Sequence, residues 1–362
     1  MATTLAPAHS AISVRRTTAP KPKPDEANLS FGTVFTDHMF LEQYDDGQGW
    51  HDARIEPYQA LTLDPAAAVL HYAQAVFDGL KAFRGQDGVV RLFRPDRHAA
   101  RLAASAARLC IPPPDVDGVV EAIRALVRLD SDWVPGARGT ALYIRPTIVA
   151  TEPYLGVRPA RSYLCYVIAS PVGAYYGHGL EPVRILVEET LVRAVEGGVG
   201  AAKTAGNYAA SLLAAEQAKE KGYAQVLWLD GVQRRYIDEV GTMNLMLQIG
   251  DEVLTPPLSG TILPGVTRDS VLTLLRDWGL TVTERPITIE EVVAAAADGS
   301  LREVWGTGTA AVVSPVGELG YQGHRIVVNE GRTGPLTRRL YEALTAIQYA
   351  AAPDPYGWMV EV

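Results

Sequence analysis

The sequence predicts an α+β protein of two domains, and three observations carry that expectation. The 362 residues exceed what a single hydrophobic core usually organises, and at roughly 150 residues per domain they make about two. Helix-period and strand-period segments occur in both halves. Between the halves, Pro171-Val172-Gly173-Ala174-Tyr175-Tyr176-Gly177-His178-Gly179 packs three glycines and a proline into nine residues before Val183 resumes an apolar strand.

The elements follow in order. An N-terminal stretch, 1–27, carries Arg15, Arg16, Lys21 and Lys23 among Ala, Thr and Pro with no apolar run beside them, so it is expected to be a flexible arm and not a secretion signal. The core is expected from residue 28. Phe31 to His51 mixes aromatics and acids in short runs, and the apolar run Ala68 to Phe83 meets a tight turn at Asp78-Gly79. Leu102, Ala106 and Leu109 recur at helical spacing in His98 to Leu109, as do Val119, Ile123, Leu126 and Val127 in Val116 to Leu129. Thr140 to Thr151 and Tyr163 to Ser170 are rich in Ile, Val, Tyr and Leu and read as strands.

A small α+β domain over 28–172, a linker over 173–181 and a large domain over 182–362 are therefore expected. In the large domain, strands are expected at Val183 to Glu188 and Gln225 to Leu229, the latter turning at Asp230-Gly231. Helices are expected at Tyr208 to Lys221, Val266 to Trp278, Ile289 to Asp298 and Leu336 to Ala350.

Composition excludes several function classes. Lys plus Arg number 33 against 41 Asp plus Glu, a net charge of −8, which offers no broad positive surface for a nucleic-acid backbone. The longest apolar stretches fall short of a membrane helix, which needs about 18 residues, so no membrane partner is expected. Two cysteines, Cys110 and Cys165, make neither a disulfide framework nor a cysteine metal site. They are expected to be buried thiols in a reducing, cytoplasmic compartment, and no metal is expected.

Two glycine-rich segments imitate nucleotide loops. Gly197-Gly198-Val199-Gly200-Ala201-Ala202-Lys203-Thr204 lacks the glycine before the lysine that lets backbone amides wrap a phosphate. Gly306-Thr307-Gly308-Thr309-Ala310-Ala311 lies late in the chain with no suitable acidic residue about 20 positions on. What remains is Lys203 in a corridor of small residues, with room beside it for a planar group and little competing charge. A lysine so placed can lower its pKa and form a Schiff base with a carbonyl cofactor. Glu239, in a polar cluster interrupting strand-like sequence, supplies a carboxylate that such a cofactor's ring nitrogen would need.

An ordered set of motifs then carries a resemblance. Phe31 to Met39, Phe77-Asp78-Gly79-Leu80-Lys81-Ala82-Phe83-Arg84-Gly85, Tyr143-Ile144-Arg145-Pro146, Thr151 to Val157, Lys203 to Tyr208, Glu239 to Asn244, Leu263 to Arg268 and Gly308-Thr309-Ala310-Ala311 run in order from residue 31 to residue 311. Together they resemble the branched-chain amino-acid aminotransferases, which are fold-type IV pyridoxal-phosphate enzymes. The resemblance implies a D-amino-acid aminotransferase-like fold with the cofactor in the large domain, a homodimer, and ping-pong amino transfer from L-leucine, L-isoleucine or L-valine to 2-oxoglutarate.

The same resemblance implies site residues. Lys203 matches the lysine that binds the cofactor and shuttles the Cα proton, Tyr208 the phenol at its O3′, and Glu239 the carboxylate at its ring nitrogen. Arg101, the Val266 and Thr267 amides, and the Thr267 and Thr309 hydroxyls match the phosphate cradle. Phe35, Tyr72, Phe77, Tyr143 and Tyr166 are implied as substrate walls. Arg145 with the Tyr143 hydroxyl is implied for the glutamate γ-carboxylate, and amides near Thr309 and Ala310 for the α-carboxylate.

Ala205 stands where the family more often has glycine, and Trp305 and Thr307 also depart from its pattern. An indole near the site loop is expected to reshape the pocket. The alternatives left open are a transaminase for a modified branched or aromatic amino acid, D-amino-acid transamination or aminodeoxychorismate lysis on the same fold, and a non-catalytic scaffold.

Overall fold

The computed structural model describes residues 11–173 and 180–362. The first ten residues of the expected arm and residues 174–179 of the expected linker lie outside the described residues. The chain divides into two compact units, Met1–Gly173 with Val360–Val362, and Ala174–Met359.

Unit 1 contains strands β1 (Ser13–Val14), β2 (His38–Asp45), β3 (Gly49–Pro57), β4 (Ala75–Phe77), β5 (Leu80–Arg84), β6 (Val90–Phe93), β7 (Ala141–Ala150) and β8 (Ser162–Val172). Its helices are α1 (Ala68–Tyr72), α2 (Pro95–Arg108) and α3 (Val116–Leu129). Asp115 caps α3 by accepting from the Gly118 N–H, and the helix buries Val119, Ile123, Leu126 and Val127, the stripe its spacing predicts. α2 begins three residues before the expected start because Pro95 at its first position presets the helical φ. Leu102 and Ala106 of α2 join Leu142, Ile144 and Ile148 of β7 in one core. Strand alternation sends the intervening β7 residues, Tyr143, Arg145 and Thr147, to the other face.

The arm differs from expectation over the residues described. β1 pairs with β3 in parallel, the Thr17 N–H donates to His38 Nε2 at 2.9 Å, and the Lys21 N–H donates to Asp37 Oδ1 at 2.8 Å. Lys21 Nζ donates to the Thr36 carbonyl at 2.8 Å. Backbone donors and the ammonium groups of Lys21 and Lys23, the latter 2.8 Å from Asp132 Oδ2, tie this stretch down without apolar periodicity, which is why its composition reads as a loose arm.

Unit 2 runs β9 (Val183–Glu188), α4 (Ala205–Glu220), β10 (Gln225–Leu229), β11 (Ile237–Val240), β12 (Met243–Ile249), β13 (Glu252–Thr255), α5 (Val266–Asp277), β14 (Thr281–Glu284), α6 (Ile289–Ala297), β15 (Leu301–Gly308), β16 (Val312–Tyr321), β17 (His324–Val327) and α7 (Pro335–Gln348). Its sheet follows the order β11-β10-β9-β16-β15-β12-β13-β14, and an additional β11–β12 pairing closes the first part of that path into a ring. The ring holds an apolar core that includes Ile185, Leu227, Val240, Leu245, Val304 and Val316. Trp305, expected to press on a site loop, is fully buried, in register with Met246 and Pro315.

The chain's end also departs from expectation. A last strand, β18 (Met359–Glu361), pairs with β6, and the Val362 N–H donates to the Val90 carbonyl at 3.2 Å. Residues 360–362 therefore belong to unit 1, not to the domain expected over 182–362. Among the described residues no helix is long and apolar enough to cross a membrane and no cluster of His, Cys, Asp or Glu suits a metal ion; both cysteines are free thiols, Cys165 buried as expected but Cys110 exposed, in the turn that follows α2.

Candidate active site

In unit 2 the glycine-rich approach to Lys203 has a steric reason. A Cβ on Gly200 would stand 2.3 Å from the Thr261 carbonyl oxygen, so only glycine lets the two backbones meet. Asn207, buried in the first turn of α4, donates from Nδ2 to the Val199 and Ala202 carbonyls at 2.8 and 2.9 Å. Those bonds fix the segment that presents Lys203, whose Nζ donates to Tyr208 Oη at 2.6 Å. The motif sits at the helix start because α4 begins at Ala205, earlier than the expected Tyr208.

Glu239 is buried on β11 in register with Asn244 of β12, and Asn244 is in register with Thr307 of β15. The three residues form a row across adjacent strands of one face. Glu239 Oε1 accepts from the Leu263 N–H at 2.8 Å and from Asn244 Nδ2 at 3.1 Å. Its Oε2 faces Arg193 Nε at 3.3 Å, a contact that lies beyond good hydrogen-bond geometry but within ion-pair range. Two donors and a guanidinium around one buried carboxylate favour its ionised form. Arg193 also donates from Nη2 to the Thr261 carbonyl. Sequence reasoning did not single out Arg193. It is forty-six residues from Glu239 and no spacing links the two.

α5 starts immediately beyond this row. Its N-cap is Gly265, which supplies no capping side chain, and Val266 and Thr267 are buried in its first turn. A Cβ on Gly265 would fall 1.9 Å from Asn244 Oδ1, so the missing side chain allows the helix start to lie against the row. Helix N-terminal amides attract anions. Thr309 and Ala310 lie half-buried in the turn joining β15 to β16. The buried Thr307 hydroxyl has no hydrogen-bond partner among the described residues, an unmet polar group in the same row as Glu239. A lysine–phenol pair, an ionised buried carboxylate and an anion-attracting helix start fit the aldehyde, phenolic oxygen, ring nitrogen and phosphate of pyridoxal 5′-phosphate.

In unit 1 the other expected residues gather on the non-core face of the sheet. Phe77 is in register with Thr147, Thr147 with Tyr166, and Lys81 with Tyr143. Arg145 Nη2 donates to Tyr143 Oη at 3.1 Å, and its guanidinium lies 4.8 Å from the centre of the Phe77 ring. Arg145 Nε is buried with no hydrogen-bond partner among the described residues. Burial raises the Tyr166 phenol above its ordinary value, against a hydrogen bond with Thr147. Lys81, not assigned a role from sequence, shares this face, and burial pushes its ammonium down to about 8.

Two expected wall residues stand differently. Phe35 stacks on Tyr58 with ring centres 5.1 Å apart. Tyr72 is exposed, and its hydroxyl donates to the Leu155 carbonyl.

Arg101 is engaged with protein. Its Nε and Nη2 donate to Asp78 Oδ2 and Oδ1, each at 2.8 Å, and His98 Nδ1 meets Asp78 Oδ1 at 2.7 Å. Burial alone would raise the Asp78 carboxyl, but Arg101 and His98 outweigh it and hold the group well below the usual carboxylate range.

The amino-transferase class IV family model matches residues 75–319. "Branched-chain-amino-acid aminotransferase 2" of Bacillus subtilis is 54% identical over 351 residues, 97% of each chain. The Escherichia coli branched-chain amino acid aminotransferase structure superposes with a TM-score of 0.75 at 29% identity, covering 89% of this chain and 98% of that one. The T.th. branched-chain amino acid aminotransferase complexed with N-(5′-phosphopyridoxyl)-L-glutamate gives a TM-score of 0.72 at 26% identity over 88% and 97% of the two chains.

Proposed function

The chain belongs to the class IV aminotransferases, and from that premise we propose that it moves the amino group of L-leucine, L-isoleucine or L-valine to 2-oxoglutarate through pyridoxal 5′-phosphate. The observation that carries this reading is the Lys203–Tyr208 pair at 2.6 Å, set in a relative of branched-chain aminotransferases over nearly its whole length. When bound, the cofactor supplies an electron sink for the pair left at Cα as its hydrogen departs.

The chain's own residues do the rest. Lys203 Nζ holds the cofactor and afterwards accepts and returns the substrate's Cα proton, so one atom serves as nucleophile and as acid/base. Tyr208 Oη donates toward the phenolic oxygen. Glu239, held ionised by Leu263, Asn244 and Arg193, keeps the ring nitrogen protonated. The Val266 and Thr267 amides and the Thr267 and Thr309 hydroxyls donate to the phosphate, joined by Arg101. Tyr143 and Arg145 bind the γ-carboxylate of glutamate, Phe35, Tyr72, Phe77 and Tyr166 line the side-chain pocket, and the amides near Thr309 and Ala310 take the α-carboxylate. We further infer a homodimer and a cytoplasmic location, which suits two free thiols.

Transfer of label tests the reaction. With [15N]leucine and 2-oxoglutarate the label should appear in glutamate, and double-reciprocal plots should be parallel. Intersecting plots, or unlabelled glutamate, would remove the ping-pong reading.

Two substitutions probe the supporting residues. Arg193→Gln removes one charged contact from Glu239. Such contacts are worth about 1.5–3 kcal/mol, so kcat should fall roughly 10–100-fold and the cofactor should leave more readily on dialysis. Gly79→Ala places a Cβ 1.9 Å from Tyr143 Oη, so the buried ring must shift and its bond to Arg145 must break. The KM for 2-oxoglutarate is expected to rise about tenfold, with a smaller change for leucine. Equal changes for the two substrates would remove Tyr143 from γ-carboxylate recognition.

A further inference from the structure

The segment Ala19-Pro20-Lys21-Pro22-Lys23-Pro24 has no part in the reaction described above, yet it is held by specific contacts. Its prolines fix φ at every second position, so the strap is extended and loses little entropy on being held. Between Pro20 and Pro24 only the two lysines keep a backbone N–H to place.

Both lysines are placed against the segment that precedes β2. The Lys21 N–H donates to Asp37 Oδ1 at 2.8 Å. Its Nζ donates to the Thr36 carbonyl at 2.8 Å and to the Phe35 carbonyl at 3.1 Å, and lies 4.5 Å from the centre of the Tyr58 ring. The pairing of β2 with β3 begins only at His38, so the ammonium serves carbonyls that stand before that ladder. Lys23 Nζ lies 3.9 Å from the centre of the Trp133 ring, and Trp133 Nε1 donates to Asp37 Oδ2 at 2.9 Å.

Tyr58 joins the Lys21 ammonium to two residues of the aromatic wall. Its ring stacks on Phe35 with centres 5.1 Å apart and planes within 6° of parallel, and its N–H donates to the Asp37 carbonyl at 2.9 Å. Its phenol is near enough to Tyr166 to raise the Tyr166 pKa electrostatically. Lys21 therefore holds Phe35 twice, by its backbone carbonyl and through the ring stacked upon it. A cation over an aromatic face and a charged donor on a carbonyl are both attractive contacts, and neither involves a residue that touches the cofactor.

We propose that Lys21, acting through Phe35 and Tyr58, is a positioning residue that fixes the wall against which the substrate's branched side chain packs. This rests on the reading of Phe35 as part of the side-chain pocket. Loss of the ammonium loosens that wall for bound substrate and transition state alike, which raises KM and leaves kcat nearly unchanged.

Steady-state kinetics of the holoenzyme with leucine and 2-oxoglutarate test it. Lys21→Met keeps the length of the side chain and removes its charge and donors, at an exposed position where the fold does not depend on it. The KM for leucine should rise about tenfold with kcat within about threefold of the parent. Tyr58→Leu, which removes the stacked ring, should act in the same direction. Phe35→Ala tests the premise and should itself raise the KM for leucine by about tenfold or more. Adding Lys21→Met to Phe35→Ala should then bring little further rise, because the wall that the lysine positions is already gone. A merely structural lysine would cost the same in both backgrounds. An unchanged KM for leucine in Phe35→Ala would remove Phe35 from the pocket, and the role of Lys21 with it. A raised KM in Phe35→Ala beside an unchanged KM in Lys21→Met, or full additivity in the double variant, would overturn the proposal and leave the wall standing.

Discussion

Replacing Lys203 by alanine is expected to lower kcat for amino transfer by on the order of ten-thousandfold while leaving the fold intact. The size follows from what Nζ does. General acid–base catalysis by one positioned group contributes about a hundredfold to ten-thousandfold, and here the same atom also carries the cofactor. The fold should survive because Lys203 is only half-buried and the segment is held by Asn207 through backbone carbonyls, not through the lysine side chain. Lys203→Arg should be nearly as inactive, since a guanidinium keeps the charge but is neither nucleophile nor base near neutral pH. Added methylamine should restore part of the lost rate in Lys203→Ala. A merely structural lysine would show no such rescue. Single-turnover rates with leucine, and far-ultraviolet circular dichroism for the fold, make the comparison. A variant within about tenfold of the parent would remove Lys203 from the chemistry.

The second large effect is on stability. Arg101→Met is expected to destabilise the protein by about 3–5 kcal/mol, because it leaves the fully buried Asp78 carboxylate without its bidentate partner. The pH dependence should identify the cause. In the parent, the folded-state pKa of Asp78 lies below the ordinary value of 3.8. The stability it contributes is therefore fully present above that value and lost below it, as pH falls through the depressed folded-state pKa. In the variant, burial dominates and raises the folded-state pKa, so the penalty grows as pH rises from the ordinary value of 3.8 towards the raised one, is full above it, and eases in acid. Urea unfolding of the cofactor-free protein at several pH values reads this directly. Adding Asp78→Asn to Arg101→Met should recover much of the loss. If the penalty is the same at every pH, the buried ion pair is not its source. Cofactor affinity, measured separately on the folded variant, tests the proposed phosphate contact.

The sequence conveyed local structure well where the physics is local. The stripe Val119, Ile123, Leu126 and Val127 marks α3 at both ends, and the apolar spacing of Val183 to Glu188 marks β9. Lys203 and Glu239 stand out in the sequence, because small neighbours around a lysine and polar residues inside a strand are unusual on their own, whereas Tyr208 enters only through the family resemblance. Partners joined by long-range register were not. Nothing near Glu239 in sequence points to Arg193, and the Asp78–His98–Arg101 cluster spans a strand turn and a helix face that only packing brings together. Lys81 was hidden for a related reason. Its strand reads as an ordinary apolar run, and the burial that lowers its ammonium pKa comes from the neighbouring chain segments. The N-terminal arm and the return of residues 360–362 to β6 rest on backbone hydrogen bonds and scattered polar contacts such as Lys21 Nζ to the Thr36 carbonyl and Arg91 to Glu361, which leave no periodic pattern to read.

The most direct test of the central claim is kcat/KM for glutamate formation from 2-oxoglutarate with L-leucine, L-isoleucine, L-valine, L-phenylalanine and D-alanine as donors. One methylene in an apolar pocket is worth about 1–3 kcal/mol. The three branched L-amino acids should therefore lead, within roughly 200-fold of one another, with D-alanine far behind. D-alanine as the best donor, or no glutamate from any branched donor, would contradict the account.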